Sequence, residues 1–156
     1  MVSKAQLVAA GLERGAIAWR VRRGRLHPLH RAVYAVGHDR LTARGRFWAA
    51  VLACGGPDAA VLSHRSAADL WDLVPERGTV VDVTSLRRSA STPRLRVHRG
   101  HSLDLPADVV SDADGLPRTS VARTLIDLAD VLTRSDLERL FLSLATASDY
   151  LDRGAT

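Results

Sequence analysis

Apolar positions first recur at helical spacing close to the N-terminus. Ile17 and Val21 are four residues apart, so they predict one buried side of a helix that ends at Gly24. Glycine suits this position because a helix C-terminus commonly needs a left-handed residue. On a helical wheel the opposite side carries Gly15, Trp19, Arg22 and Arg23.

A second short helix is predicted just upstream. Ser3 is a good N-cap for residues 4–10, Leu7 is the apolar anchor, and Gly11 follows the helix end. Two helices separated by a short glycine-containing turn have helix-turn-helix spacing.

A hairpin is predicted directly after these two helices. Residues 25–29 and 33–36 alternate between apolar and polar side chains, as short strands do, and His30, Arg31 and Ala32 lie at the bend. A hairpin in this place is typical of a wing. Residues 1–40 therefore predict a winged helix-turn-helix.

The pattern from residue 41 to residue 150 predicts a mixed α/β unit, so the fold class is α+β, and residues 151–156 are predicted to be a frayed tail. Helices are predicted after Thr42, after Ser63 over residues 64–73, after Thr119 or Ser120, and at the capping-box pattern of residues 135–138. Strands are predicted over residues 79–84 and 95–98 and at 109–110, with a turn or strand edge at 115–117.

The charges of the chain divide close to this boundary, at residue 47. Residues 1–47 hold ten Lys/Arg and two acidic residues, a net charge of +8, whereas the remainder holds twelve and fifteen, a net charge of −3. This asymmetry predicts a DNA-reading module followed by a companion unit that does not bind DNA. Arg40, Arg44 and Arg46 could extend the basic surface or simply solvate a helix face.

Composition limits the class of protein. Apolar residues make up 46% of the chain, which is typical of a globular protein, and the single cysteine, Cys54, excludes an intramolecular disulfide. No apolar run approaches the roughly 20 residues of a membrane span, and the N-terminus lacks the apolar core of a secretory signal. We therefore expect a cytoplasmic protein without a membrane partner.

Known catalytic patterns do not occur in the sequence. Lys4 is the only lysine, so neither a phosphate-binding loop ending in Lys nor a nuclease motif of acidic residues with Lys can be drawn. His27 and His30 are three apart, but a wing position favours phosphate or solvent contact over metal. Asp127 and Asp130 are predicted on the solvated outer face of their helix. We expect no catalytic residue, metal or cofactor.

Motifs that match one known family are spread over nearly the whole chain. They are Ala10-Gly11-Leu12, Ile17, Arg20-Val21 and Gly24-Arg25-Leu26-His27; His30-Arg31-Ala32-Val33-Tyr34-Ala35-Val36-Gly37; Ala50-Val51-Leu52-Ala53-Cys54-Gly55; Leu62-Ser63-His64-Arg65-Ser66-Ala67-Ala68 with Leu70-Trp71; Arg96-Val97-His98-Arg99; and Gly115-Leu116-Pro117-Arg118-Thr119-Ser120 with Ala122-Arg123-Thr124-Leu125-Ile126-Asp127-Leu128-Ala129. These residues resemble the N-terminal part of AbiEi-like type IV antitoxins. They are similar also to actinobacterial proteins that join this region to a Vsr-like endonuclease domain.

The resemblance implies a winged helix-turn-helix followed by an antitoxin-type domain. It also implies binding to operator DNA and autorepression of a toxin–antitoxin operon. The chain would oppose a nucleotidyltransferase-type toxin functionally, without necessarily touching it.

Three features depart from the family pattern. Ala32 stands where the wing turn usually carries glycine. The usual first helix is missing before Ser3, so something else, such as the helix after Thr42, has to cover one flank of the N-terminal apolar cluster. Relatives with a nuclease-like domain continue where this chain stops, which could make it a free-standing regulator, a remnant or a fragment.

The leading hypothesis is a DNA-binding, antitoxin-like regulator of transcription that acts on double-stranded DNA. The residues expected at the major groove are Arg14, Gly15, Trp19, Arg22 and Arg23, and those expected at phosphates are Arg20, Arg25, His27, His30 and Arg31. Two alternatives stay open for individual side chains: Arg20, Arg22 and Arg23 could serve only capping and solubility, and Trp19 could cover the open flank. Two rival functions are the DNA-targeting half of a split or truncated Vsr-like endonuclease and a protein-interaction module.

Overall fold

The computed structural model describes residues 1–74, 78–100 and 103–153 as an α+β fold built on two sheets. The N-terminal elements are β1 (Val2–Ser3), α1 (Lys4–Ala9), α2 (Arg14–Arg22), β2 (Leu26–His30) and β3 (Val33–Val36). They are followed by α3 (Ala43–Ala53), β4 (Ala60–Leu62), α4 (His64–Leu70), β5 (Val81–Ser85), β6 (Leu95–Arg99), α5 (Leu105–Asp108), β7 (Val109–Ser111), β8 (Pro117–Thr119), α6 (Val121–Ala129) and α7 (Arg134–Arg153).

The first sheet is antiparallel and has the order β1-β3-β2. The two helices and the hairpin predicted from the sequence are present, and β1 is an addition that the pattern did not predict. Ser3 forms a capping box with Gln6: its hydroxyl accepts from the Gln6 backbone N–H at 3.2 Å, and its own N–H donates to Gln6 Oε1 at 2.8 Å. At the hairpin bend Ala32 has a positive φ of 62°, the backbone conformation that the family pattern would give to glycine.

The second sheet has the order β6-β5-β4-β8-β7 and mixes parallel and antiparallel pairs. β5 runs parallel to β6 and antiparallel to β4, and β4 runs parallel to β8. Every residue of β5 is buried. The alternation of residues 79–84 therefore correctly predicted a strand, but both of its faces are covered.

Helix α3 packs against both sheets, contacting β1, β2 and β3 as well as β4 and β5. Phe47 and Val51 join Leu62, Val83 and Leu116 in the larger apolar core. A helix after Thr42 was expected to cover the open flank of the N-terminal module, and α3 does lie on that module, against its sheet. A second apolar cluster lies between α4, α6 and α7 around Ala68, Leu128 and Leu140.

Several C-terminal boundaries differ from the predicted ones. The capping box expected at residues 135–138 is wrong: α7 begins at Arg134, two residues earlier than a Ser135 cap would give, and the Thr133 hydroxyl accepts from the Asp136 N–H at 3.2 Å. Helix α4 ends at Leu70, shortly before Asp72 takes a positive φ of 54°. Helix α7 continues to Arg153, so residues 151–153 of the predicted frayed tail are helical, and residues 154–156 lie outside the described residues.

None of the helices in the described ranges combines the length and the apolar character needed to cross a bilayer.

Candidate nucleic-acid interface

The outer face of α2 is open to solvent. Ile17 is 3% exposed and faces the hairpin side, whereas Trp19 is 41% exposed, and Gly15, Arg22 and Arg23 are also exposed. The predicted outer side of the helix is therefore exposed, but of the two residues predicted to form the buried side Ile17 is buried and Val21 is only half-buried.

Two arginines lie close to this tryptophan. The guanidinium carbons of Arg23 and Arg25 are 5.6 Å and 5.9 Å from the Trp19 ring centroid, within the range of cation–π contacts. We call these three residues the Trp19 cluster. These contacts place the positive charges of Arg23 and Arg25 against the indole ring of Trp19. The guanidinium N–H groups of both arginines can still donate hydrogen bonds to a bound ligand.

The turn that ends α2 brings Arg25 back beside the helix that precedes it. Gly24 has a φ of 66°, its N–H donates to Val21 O at 3.0 Å, and the Arg25 N–H donates to Arg20 O at 2.9 Å. This pair of bonds is a Schellman motif, which reverses the chain after a helix. The turn therefore places one arginine from the helix and one from the following loop beside Trp19.

Six arginines of this region are not paired with a carboxylate among the residues that the structure describes. Within the described ranges, no ion pair with a carboxylate involves Arg14, Arg20, Arg22, Arg23, Arg25 or Arg31. All but Arg20 are exposed, and Arg20 Nη1 donates to Ala16 O on its own helix at 3.1 Å. Their charge is thus available to an external anion.

Arg44 belongs to the same basic third of the sequence but has a different role. It pairs with Asp112 at 3.0 Å and with Asp114, whose carboxylate also accepts from Trp48 Nε1 at 3.3 Å. The bond from Arg44 lowers the pKa of Asp114 to about 2. The sequence left open whether Arg44 extends the basic surface or solvates a helix face, and the structure shows a third role, an ion pair with carboxylates of the same chain.

The two hairpin histidines lie in different surroundings. His27 Nε2 is 3.3 Å from Gly37 O, within the hairpin itself. His30 lines a cleft of about 250 Å³ between β2 and α3, together with Arg46 and Arg94. Burial, followed by repulsion from Arg94, lowers the pKa of His30. The structure thus places His30 beside the second unit and not in the Trp19 cluster, while Arg31 is exposed at the bend.

Residues 1–74, 78–100 and 103–153 contain no group of three or more His, Cys, Asp or Glu side chains arranged to hold a metal ion.

Sequence reasoning missed a buried polar cluster in the second unit. The His64 and His98 rings stack with centroids 3.5 Å apart, and His98 Nε2 is 2.9 Å from Asp82 Oδ1. Thr84 Oγ1 donates to Ser63 Oγ at 2.8 Å, and Ser63 Oγ is 2.9 Å from His64 Nδ1. We call these five residues the histidine cluster. Ser63 was predicted as an N-cap, and it occupies that position, but its hydroxyl bonds side chains and no helix N–H.

Asp127, which we expected on a solvated face, borders this cluster and is 4% exposed, so that expectation is wrong. Arg123 Nε donates to Asp127 Oδ1 at 2.8 Å, and Asp127 Oδ2 is 4.0 Å from His64 Nδ1. Burial, followed by repulsion from His98, lowers the pKa of His64, although nearby carboxylates oppose the shift.

One sequence signal could have indicated the histidine cluster. In β5 and β6 polar residues alternate with valine, and the parallel register sets Thr84 opposite His98 and Asp82 opposite Arg96. Side chains of one strand face point the same way, so these polar residues share one face of the sheet. That face meets α4, while Val81 and Val83 face the apolar core.

Comparisons with known proteins give no further identification: no protein-family model matches the chain, and neither does any curated protein.

Proposed function

We propose that this protein is a DNA-binding, antitoxin-like regulator of transcription whose N-terminal residues form a winged helix-turn-helix. The observation that carries the proposal is the Trp19 cluster on the outer face of α2, where exposed arginines lack protein counter-charges. Unpaired arginines grouped on one helix form the electrostatic footprint of a phosphate backbone.

In the proposed complex α2 enters the major groove and the β2–β3 hairpin lies beside it. Arg22 and Arg23 project from the outer face and reach base edges, where one arginine bound to guanine through both N7 and O6 discriminates by about 1–3 kcal/mol. The residues proposed to accompany them are Arg14, Gly15 and Trp19 at the groove and Arg20, Arg25, His27 and Arg31 at phosphates. His30 is left out of this set because it is half-buried in the cleft beside Arg94.

The second unit is proposed as a companion that catalyses no reaction. The polar groups of the histidine cluster are engaged with one another, which is the arrangement expected of a structural interior, whereas Asp127 Oδ2 at the border of the cluster is buried without a hydrogen-bond partner. The regulatory role rests on the family resemblance: the chain would bind its own promoter, repress its operon and oppose a nucleotidyltransferase-type toxin encoded beside it.

The test is fluorescence anisotropy with a labelled duplex from the chain's own promoter, titrated between low and moderate salt. We expect Arg22→Gln/Arg23→Gln to weaken binding by about tenfold or more and to reduce the preference for the promoter duplex over a duplex of unrelated sequence, because both side chains are proposed to contact base edges. The fold should be unaffected because both side chains are exposed.

The matched control is Arg134→Gln/Arg139→Gln, which removes the same charge from exposed side chains of α7. This variant should bind the duplex as the wild type does. An equal loss in the two double variants, or wild-type binding that does not respond to salt, would contradict the proposal.

A further inference from the structure

The carboxyl ends of β5 and β6 form a basic hollow that the proposed DNA contact does not use. The hollow has a volume of about 410 Å³, and we call it the arginine pocket. Its polar lining consists of Ser85, Arg87, Arg88, Ser89, Arg99 and Gly100. It lies in the segment after residue 47, whose net charge is negative, so its three arginines are opposite in sign to the net charge of that segment.

The register of two parallel strands creates the hollow. Ser85 and Arg99 are paired as the last residues of β5 and β6, so both strands deliver their ends to one edge of the sheet. Ligands of open α/β sheets commonly bind just outside the carboxyl ends of strands.

A buried serine fixes the loop that carries the other two arginines. Ser85, which is buried, donates its hydroxyl to Arg87 O at 3.0 Å and accepts from the Arg87 N–H at 3.3 Å. Its oxygen also lies 3.3 Å from Ser89 Oγ. The loop is therefore anchored at its base, and Arg87 and Arg88 are held at the rim.

Gly100, which follows β6, forms the side of the pocket across from the loop of Arg87 and Arg88. Because it has no side chain, its backbone can lie close to Leu86 and Thr84. A Cβ there would lie 3.0 Å from Leu86 Cδ2 and 3.1 Å from Thr84 Cγ2, which is closer than packed carbon atoms normally come. The Gly100 N–H donates to Ser85 O at 3.2 Å, so this wall is tied to the end of β5.

The three arginines of the pocket have no carboxylate partner in the part of the chain that the structure describes. Like charges gathered in one hollow repel each other, and an anion would remove that repulsion. Guanidinium groups offer planar pairs of N–H donors that match phosphate oxygens, and serine hydroxyls can donate to the remaining oxygens.

We propose that the arginine pocket binds the terminal phosphate of a small phosphorylated ligand of the mononucleotide class. The volume lies within the range of small-molecule sites, and a recessed hollow receives a terminal phosphate more readily than the convex backbone of a duplex. Arg99 and Arg88 bind the phosphate oxygens, while Val97 and Leu86 supply apolar surface for the rest of the ligand.

Isothermal titration of the full chain at low salt, with AMP, inorganic phosphate and adenosine in turn, tests this proposal. We expect heat from AMP and competition between AMP and phosphate, but no binding of adenosine. Binding of phosphate alone, with no gain from the nucleoside part, would overturn the mononucleotide assignment, and no binding of either anion would overturn the site.

Variants assign the binding to particular side chains. Arg99→Gln and Arg88→Gln should each weaken AMP by about tenfold, the loss expected for one charge-assisted contact. Because Arg88 is exposed, its variant remains informative even if Arg99→Gln lowers stability. Arg31→Gln removes the same charge from the hairpin and should leave AMP binding unchanged.

The outcome is independent of the DNA proposal. Arg99→Gln should keep promoter affinity, and Arg31→Gln should lower it. If Arg99→Gln and Arg31→Gln weaken AMP equally, the ligand responds to overall charge and the pocket is not its site. If Arg99→Gln weakens the duplex and leaves AMP unchanged, the pocket is a nucleic-acid contact and the proposal fails.

Discussion

The arginines around Trp19 and the polar residues around His64 are two groups of charged or polar side chains with opposite surroundings. Arg23 and Arg25 lie against an exposed indole, and no carboxylate pairs with them in the described ranges. His98 and Asp127 are enclosed by protein donors and acceptors. The comparison teaches that the density of charge along a sequence does not locate a binding site. A charged side chain is available to a ligand only where the folded protein supplies no counter-charge or hydrogen-bond partner for it.

The difference follows from how completely each element is covered. In α2 only Ile17 is buried, whereas α4 buries His64, Ser66, Ala67 and Ala68. A polar group inside the protein costs free energy unless it is hydrogen-bonded, and in the second unit the residues of the histidine cluster bond one another, whereas Asp127 Oδ2 is buried without a hydrogen-bond partner. Those on α2 remain hydrated until an external partner arrives.

The largest effect on stability should come from removing a buried charge. Asp127→Ala leaves the Arg123 guanidinium without its shorter ion-pair contact and opens space beside His64. We expect a loss of about 3 kcal/mol, the low end for breaking a buried pair, because Arg123 keeps Asp108 at 3.0 Å. The free energy of unfolding in urea measures it.

Asp130→Ala is the matched control, because Asp130 is an exposed aspartate at the end of the same helix. It should change the free energy of unfolding by less than about 0.5 kcal/mol. Equal effects of the two substitutions would remove the distinction between enclosed and solvated charges.

The second prediction concerns pH. The pKa of His64 is lowered from 6.5, so the unfolded chain binds the proton more readily than the folded chain does. Stability is therefore fully present above about pH 6.5 and falls as the pH drops through that value toward the folded pKa. One histidine contributes at most about 1.4 kcal/mol per pH unit.

Comparing His64→Asn with the wild type isolates this contribution. Asparagine tolerates the positive φ of 49° at this position and does not titrate. The slope of the unfolding free energy between pH 7 and pH 5 should become shallower, with a remainder from His30, whose pKa is also lowered. His38→Asn, at an exposed position, should retain the wild-type slope. Identical slopes in all three proteins would exclude His64 as the source.

The contrast also shows how far the sequence predicts the structure. The helical wheel of α2 placed its arginines correctly on the solvent side, but of its predicted apolar pair only Ile17 is buried and Val21 is half-buried. In α6 the predicted seam of Val121, Leu125 and Leu128 is displaced, because the buried residues are Thr124, Asp127 and Leu128. A wheel gives relative angles along one helix. Which side of α6 is buried depends on α4, the helix that packs against it and that lies about sixty residues earlier in the sequence.

The strands lead to the same conclusion. Alternation correctly predicted β5 and β6, but their parallel pairing joins segments that no local pattern relates. Only that pairing places His98 beside Thr84 and creates the arginine pocket at the strand ends. The candidate interface on α2 could be predicted because it is local, whereas the histidine cluster and the pocket depend on pairing distant in sequence.

The third prediction concerns the hairpin bend. Ala32 is exposed and has a φ of 62°, a conformation that costs an alanine about 1–2 kcal/mol. Ala32→Gly should stabilise the protein by about 0.5–1 kcal/mol, since the greater freedom of glycine in the unfolded chain offsets part of the gain. Ala18→Gly, at an exposed position of α2, should destabilise it by up to about 1 kcal/mol. Thermal unfolding of the two variants should shift in opposite directions, and a shift of equal sign would contradict strain at the bend.

The smallest effect should come from Arg44, which tests the comparison most directly. Arg44 lies in the basic third of the chain, so a count of charge along the sequence gives its loss the same weight as the loss of Arg23. Its guanidinium is already paired with Asp112 and Asp114, and both of those carboxylates belong to the second unit. A charge neutralised at contact distance adds little to the potential beyond the screening length of about 8 Å at physiological salt. Arg44→Gln should therefore change promoter affinity by less than about twofold, whereas Arg23→Gln lowers it clearly in the same anisotropy assay. Equal losses would mean that total charge governs binding, and the distinction between partnered and unpartnered arginines would have no functional meaning.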